Sequence, residues 1–133
     1  MADDVQFRGW SFYDHLESDG SCVDAWLQSL DISVRDDVAD KLRAMLLAMR
    51  PMRTWPEKWF SAYKGRDKIY ELRITFKKVQ YRPFGCYGPG RWCFTLIGGS
   101  IEKGDAIPQG DLNVLEARIN AVNWRTVRER SFY

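Results

Sequence analysis

Apolar residues recur at helical intervals in three stretches of this chain, and every second residue in the region between them. Ser21-Cys22-Val23-Asp24 has capping-box spacing, a Ser with an acid three residues later, and leads into Val23, Trp26, Leu27 and Leu30. A short helix is predicted there. Ser33-Val34-Arg35-Asp36 repeats the start signal, and Val34, Val38, Leu42, Leu46 and Met49 form an i, i+4 stripe that stops before Pro51. The short link between these helices predicts an antiparallel hairpin whose apolar stripe covers one face of a sheet.

Ahead of the hairpin, Val5 to Phe12 reads as a strand with a bulge at Gly9, because Val5 and Phe7 alternate in one phase and Trp10 and Phe12 in the other. Residues 50 to 66 read as a connector, with Trp55, Trp59, Phe60 and Tyr63 pinning it to the core. From Lys68 the period becomes two. Tyr70, Leu72, Ile74 and Phe76 point one way, and Glu71, Arg73 and Thr75 the other. Val79 to Phe84 is the next strand, Tyr87-Gly88-Pro89-Gly90 a turn, and Arg91 to Ile97 a third strand. Pro83 cannot donate to a ladder, so an edge position or a bulge is expected beside Arg82. After Pro108, Leu112, Leu115, Ile119 and Val122 mark a final helix, and residues 123–133 read as a basic tail. The fold class is α+β, in one domain spanning residues 1–133: strand, helical hairpin, three antiparallel strands, helix.

Charge divides this domain. Residues 1–40 hold ten acidic residues and two arginines, a balance of −8, whereas residues 41–133 hold eighteen basic and eight acidic residues, a balance of +10. A basic surface of this size attracts polyanions, with RNA, DNA and an acidic protein all open at this point. Between Lys64 and Arg82 there are seven basic and two acidic residues. Lys64, Arg66, Lys68, Lys77 and Lys78 fit a surface that tracks a phosphate backbone, or a solvated rim, with Tyr81 and Arg91 as further RNA contacts. Arg125, Arg128 and Arg130 with Phe132 and Tyr133 suit unpaired bases, although a disordered end is the ordinary reading of such a tail. Cys22, Cys86 and Cys93 have neither disulfide nor zinc-site spacing and are expected to be reduced, buried thiols. No run approaches the roughly 18 apolar residues of a membrane span, and the acidic Met1-Ala2-Asp3-Asp4 is unlike a secretory signal. A cytoplasmic protein is expected.

Gly20-Ser21-Cys22-Val23, Trp26-Leu27-Gln28-Ser29-Leu30, Lys64-Gly65, Tyr70-Glu71-Leu72-Arg73-Ile74, Tyr81-Arg82, and Leu96-Ile97-Gly98-Gly99 followed by Lys103 and Pro108 occur in an order that carries a resemblance. Over roughly residues 5–122 the chain resembles the phage-derived, Gp49-like branch of the RelE/HigB superfamily, the toxins of type II toxin–antitoxin modules. The resemblance implies an endonuclease that cuts mRNA on the ribosome, without a metal or cofactor, and a helix-turn-helix antitoxin as partner. Arg73 matches the Arg of the Glu-Leu-Arg-Ile motif and Arg82 that of Tyr-Arg, which makes both candidate phosphate cations. Lys103 is a candidate proton-transfer group or third cation. A solvated strand arginine paired with Glu71 and a solvated loop lysine are the ordinary alternatives for Arg73 and Lys103.

The chain departs from the family where relatives carry His-Gly-Phe and this sequence has Gly98-Gly99-Ser100. His15, the single histidine, matches no family catalytic position and reads as a solvated loop residue. Two other functions therefore stay open: a binding protein of the same fold that has lost cleavage, and a ParE-like inhibitor of DNA gyrase.

Overall fold

Two capped helices lie early in the α+β arrangement. Ser21 accepts a hydrogen bond from the Asp24 amide, fixing the start of α1 (Cys22–Ser29), and Asp31 does the same for the Ser33 amide at the start of α2 (Ile32–Met49). The computed structural model describes residues 7–132, so Val5 of the expected first strand, the Met1 to Asp4 segment and Tyr133 lie outside the described residues. The strands are β1 (Ser11–Glu17), β2 (Gly20–Ser21), β3 (Phe60–Ala62), β4 (Tyr70–Leu72), β5 (Ile74–Phe76), β6 (Val79–Tyr87), β7 (Cys93–Ile101) and β8 (Val127–Glu129), with α3 (Gln109–Ala121) before the last. No described helix is long and apolar enough to cross a membrane.

The sheet runs β2-β1-β7-β6-β4-β3, with β5 also on β6 and β8 also on β1. The pairing of β1 with β7 is parallel and the rest are antiparallel. Helices cover both faces. Val38, Leu42, Leu46 and Met49 of α2 meet Phe12, Leu72, Ile74, Phe94 and Leu96 on one face. Leu112 and Leu115 of α3 meet Ile69, Phe84 and Ile97 on the other. The alternation of Tyr70, Leu72, Ile74 and Phe76 toward the first core holds.

Several expectations change. The first strand lies at Ser11–Glu17, after the positive-φ bend at Gly9, and the connector contains β3. Pro83 sits inside the sheet. Its missing donor falls where the ladder to β6 changes from β4 to β5, because the two registers put Leu72 opposite Pro83 and Arg73 opposite Arg82. The bulge lies one step on, between β6 and β7 at Phe84 and Gly85. The third strand runs past Ile97 to Ile101, because Gly98, at φ +147°, accommodates the bulge and Gly99 admits the Trp26 ring, which a Cβ there would meet at 2.2 Å.

The basic tail is structural. Its residues 127–129 pair with Tyr13, Asp14 and His15 of β1, and Phe132 is buried against Phe12. The carbonyl of Phe132 accepts from Arg43, and Arg130 makes an ion pair with Asp14 at 2.9 Å. His15, flanked by β7 and β8, is 2% exposed rather than solvated.

Candidate functional site

The register that opposes Arg73 to Arg82 sets two like charges across neighbouring strands, which is unfavourable without a counter-ion. Glu71 supplies it. Its Oε1 lies 3.3 Å from Arg73 Nε and 3.5 Å from Arg82 Nε. Alternation along β4 and β6 turns all three side chains away from α1 and α2. Arg82 also reaches Glu102 Oε2 at 3.1 Å and Gln80 Oε1 at 3.1 Å, and Gln80 in turn accepts from Thr75. Burial raises the Glu71 carboxyl above its ordinary range, against the opposing pull of Arg73 and Arg82.

Arg73 is held more openly. Its guanidinium donates to the Glu57 carbonyl and to Ser61 Oγ, and its side chain keeps 34% exposure, against 8% for Arg82. Its backbone amide donates to the Trp59 carbonyl, continuing the β3–β4 ladder that positions it. Arg73 and Lys64 line two adjoining clefts. One, of about 270 Å³, includes Ser61, Glu71 and Glu102, and the other, of about 610 Å³, includes Glu57 and Lys58. The pairing of Arg73 with Glu71 that the sequence allows for is thus present, together with exposure toward clefts in which Lys58 and Lys64 stand among Glu57, Glu71, Glu102 and Asp105.

The remaining candidates are dispersed. Lys103 is exposed in the 103–106 hairpin and shares a cleft of about 410 Å³ with the buried Tyr81, Trp26, Ser100 and Asp111. There Ser100 Oγ donates to Asp111 Oδ2 at 2.5 Å, so the serine of Gly98-Gly99-Ser100 braces the start of α3. Arg66 is occupied by α3, donating to Glu116, Gln109 and Asn113. Lys68 is exposed in the turn before β4. Lys77 and Lys78 form the two-residue turn between β5 and β6, both at positive φ. Arg91, its guanidinium 5.1 Å from the Trp92 ring centre, lies beyond the far end of β6, roughly 26 Å from that turn at the usual rise of a strand. Arg91 is thus set apart from Lys77 and Lys78.

Two cleft-lining positions escape a reading by motif. Glu71 belongs to the quoted Glu-Leu-Arg-Ile run, yet its burial between two arginines depends on cross-strand pairing. Lys58 lies in the stretch read as connector. Elsewhere Asp14, whose carboxyl burial also pushes upward, is closed in by Arg130, which bonds Asp24 as well. Cys22 and Cys86 are buried thiols, each pushed up to about 11 by desolvation. No family model matches this chain, and no curated protein or solved structure matches it either.

Proposed function

We propose that this protein is a toxin of the RelE/HigB type, an endonuclease that cuts ribosome-bound mRNA at the Arg73 cleft and is neutralised by a helix-turn-helix antitoxin. One observation carries the reading: a fixed, half-exposed guanidinium stands beside a buried carboxylate of raised pKa and opens onto a cleft shared with a lysine. The ordered motifs from Lys64 to Pro108 support it as well.

In this reading the 2′-hydroxyl gives its proton to Glu71 as its oxygen attacks the neighbouring phosphorus. The 5′-oxygen departs with a proton from Lys64, leaving a 2′,3′-cyclic phosphate. Arg73 stabilises the extra phosphoryl charge, an effect on the order of 10²- to 10³-fold for one positioned donor. Glu71 supplies the acid–base group that the missing histidine would otherwise provide. Arg82 is closed in by Glu71 and Glu102, so it orients Glu71 instead of touching phosphate. Lys103 faces a separate cleft and has no part in this step.

A binding protein without cleavage is the second reading, favoured by the carboxylate that already counters both arginines. Purified protein added to translating ribosomes distinguishes the two. Cleavage at ribosome-occupied codons, abolished by Arg73→Ala, supports the toxin. Intact mRNA with retained RNA binding supports the binding module, and induction in cells that arrests growth with intact mRNA and broken DNA indicates gyrase poisoning.

A further inference from the structure

His15, Glu17 and Cys22 meet away from the Arg73 cleft, where β1 turns through β2 into α1. His15 and Glu17 are two apart on one strand and share a face. The β1–β2 hairpin, with Leu16 opposite Ser21 and Glu17 opposite Gly20, carries Cys22 back to them. One ligand atom from each residue lies within 4.8 Å of the other two. Tetrahedral zinc, with bonds of 2.0–2.3 Å, needs such atoms roughly 3.4–3.6 Å apart, so closure by about 1 Å or somewhat more forms three corners of a site.

Two further features bear on a metal. His15 turns Nε2 toward Glu17 Oε2 at 4.0 Å, so Nε2 is the nitrogen placed to ligate, while the buried Nδ1 has no hydrogen-bond partner. Glu17 is the exposed member of the group, giving an ion access from solvent. Arg118 already grips Glu17, Nε to Oε2 at 3.2 Å and Nη2 to Oε1 at 3.3 Å. A carboxylate has about four acceptor positions, so two remain, and a hydrogen-bonded outer partner is the usual companion of a ligating carboxylate. The mixed nitrogen, sulfur and oxygen donor set suits zinc, not magnesium or calcium.

We propose that His15, Glu17 and Cys22 bind a zinc-class divalent cation, with water at the fourth position. On binding, the Cys22 thiol loses its proton to solvent and the thiolate bonds the metal.

Cobalt(II) is the probe, because a thiolate bound to it gives a near-ultraviolet charge-transfer band and a tetrahedral site gives strong visible bands. The full-length protein, stripped of metal with a chelator, is titrated with Co²⁺ and then challenged with Zn²⁺. The expected result is saturation at one Co²⁺ per chain and displacement by Zn²⁺. The thiolate band should vanish in Cys22→Ser but persist in Cys86→Ser and Cys93→Ser. Glu17→Gln, an exposed position that tolerates change, should weaken Co²⁺ binding about tenfold or more, in the range by which disturbed metal shells lose affinity. Absence of a thiolate band in the wild-type protein, or its persistence in Cys22→Ser, overturns the site, as does unchanged affinity in Glu17→Gln. These readouts are independent of RNA cleavage.

Discussion

Two acid–arginine networks are set into the same sheet, one around Glu71 and one around Asp14, and they differ in what their arginines are free to meet. In the Asp14 network Arg130 is 15% exposed in its side chain, spends Nη1 on both Asp14 and Asp24, and lies just after a strand whose backbone is already paired to β1. In the Glu71 network one carboxylate is shared by two arginines of unequal exposure, and the more open one lines clefts with Lys64 and Lys58. The first network closes upon itself. The second has a charged group left facing solvent, and that asymmetry separates an ion pair that fastens a strand from one that can hold a phosphate.

The sharpest break comes from Arg130→Ala, which leaves the Asp14 carboxylate buried without its cation. Removing one partner of a buried pair costs about 3–5 kcal/mol. Urea denaturation should register that loss, while folded protein keeps its RNA affinity. Glu71→Gln should do the reverse. It preserves shape and leaves Arg82 its bonds to Glu102 and Gln80, so stability changes less, but cleavage of ribosome-bound RNA should fall by about 10²-fold or more. If Glu71→Gln cleaves normally, the carboxylate only fastens the sheet and the two networks are alike.

Proton dependence sharpens the same distinction. A general base acts when ionised, and burial raises the Glu71 carboxyl, so the cleavage rate should climb with pH through a midpoint above the ordinary 4.5 for glutamate. The stability effect has the opposite sign: ionised Glu71 is disfavoured in the folded chain, and its cost is relieved as pH falls through the raised value. A rate profile that is flat through this range removes Glu71 as the base.

The sequence made the helices legible because Ser21 signals its cap locally and the Val38 to Met49 stripe has one period. The phase of Arg73 was equally legible, since alternation alone puts it opposite Leu72 and Ile74. What alternation leaves out is cover. Arg73 and Arg82 share a polar face, but their exposures diverge because Glu71 and Glu102 close around only one of them. β8 was hidden for another reason: it is three residues long and takes its register from β1, more than a hundred residues earlier. The same distant pairing buries Asp14 and also His15, whose polar character locally reads as solvated loop.

The finest separation lies between two neighbouring cations, Lys64 and Arg66, which composition treats as equivalent. Arg66 spends its guanidinium on Glu116, Gln109 and Asn113 of α3, whereas Lys64 lines both clefts beside Arg73. If Lys64 contacts phosphate, Lys64→Ala should reduce the slope of log affinity against log salt concentration by about one, with a modest and sequence-independent loss of affinity. Arg66→Ala should leave that slope unchanged and cost at most about 1 kcal/mol of stability, as expected for an ion pair at the surface. Fluorescence anisotropy of a labelled single-stranded RNA, repeated across a salt series, reads both variants. Equal slopes for the two variants would mean that RNA displaces Arg66 from α3, and the working surface would then extend past the cleft onto that helix.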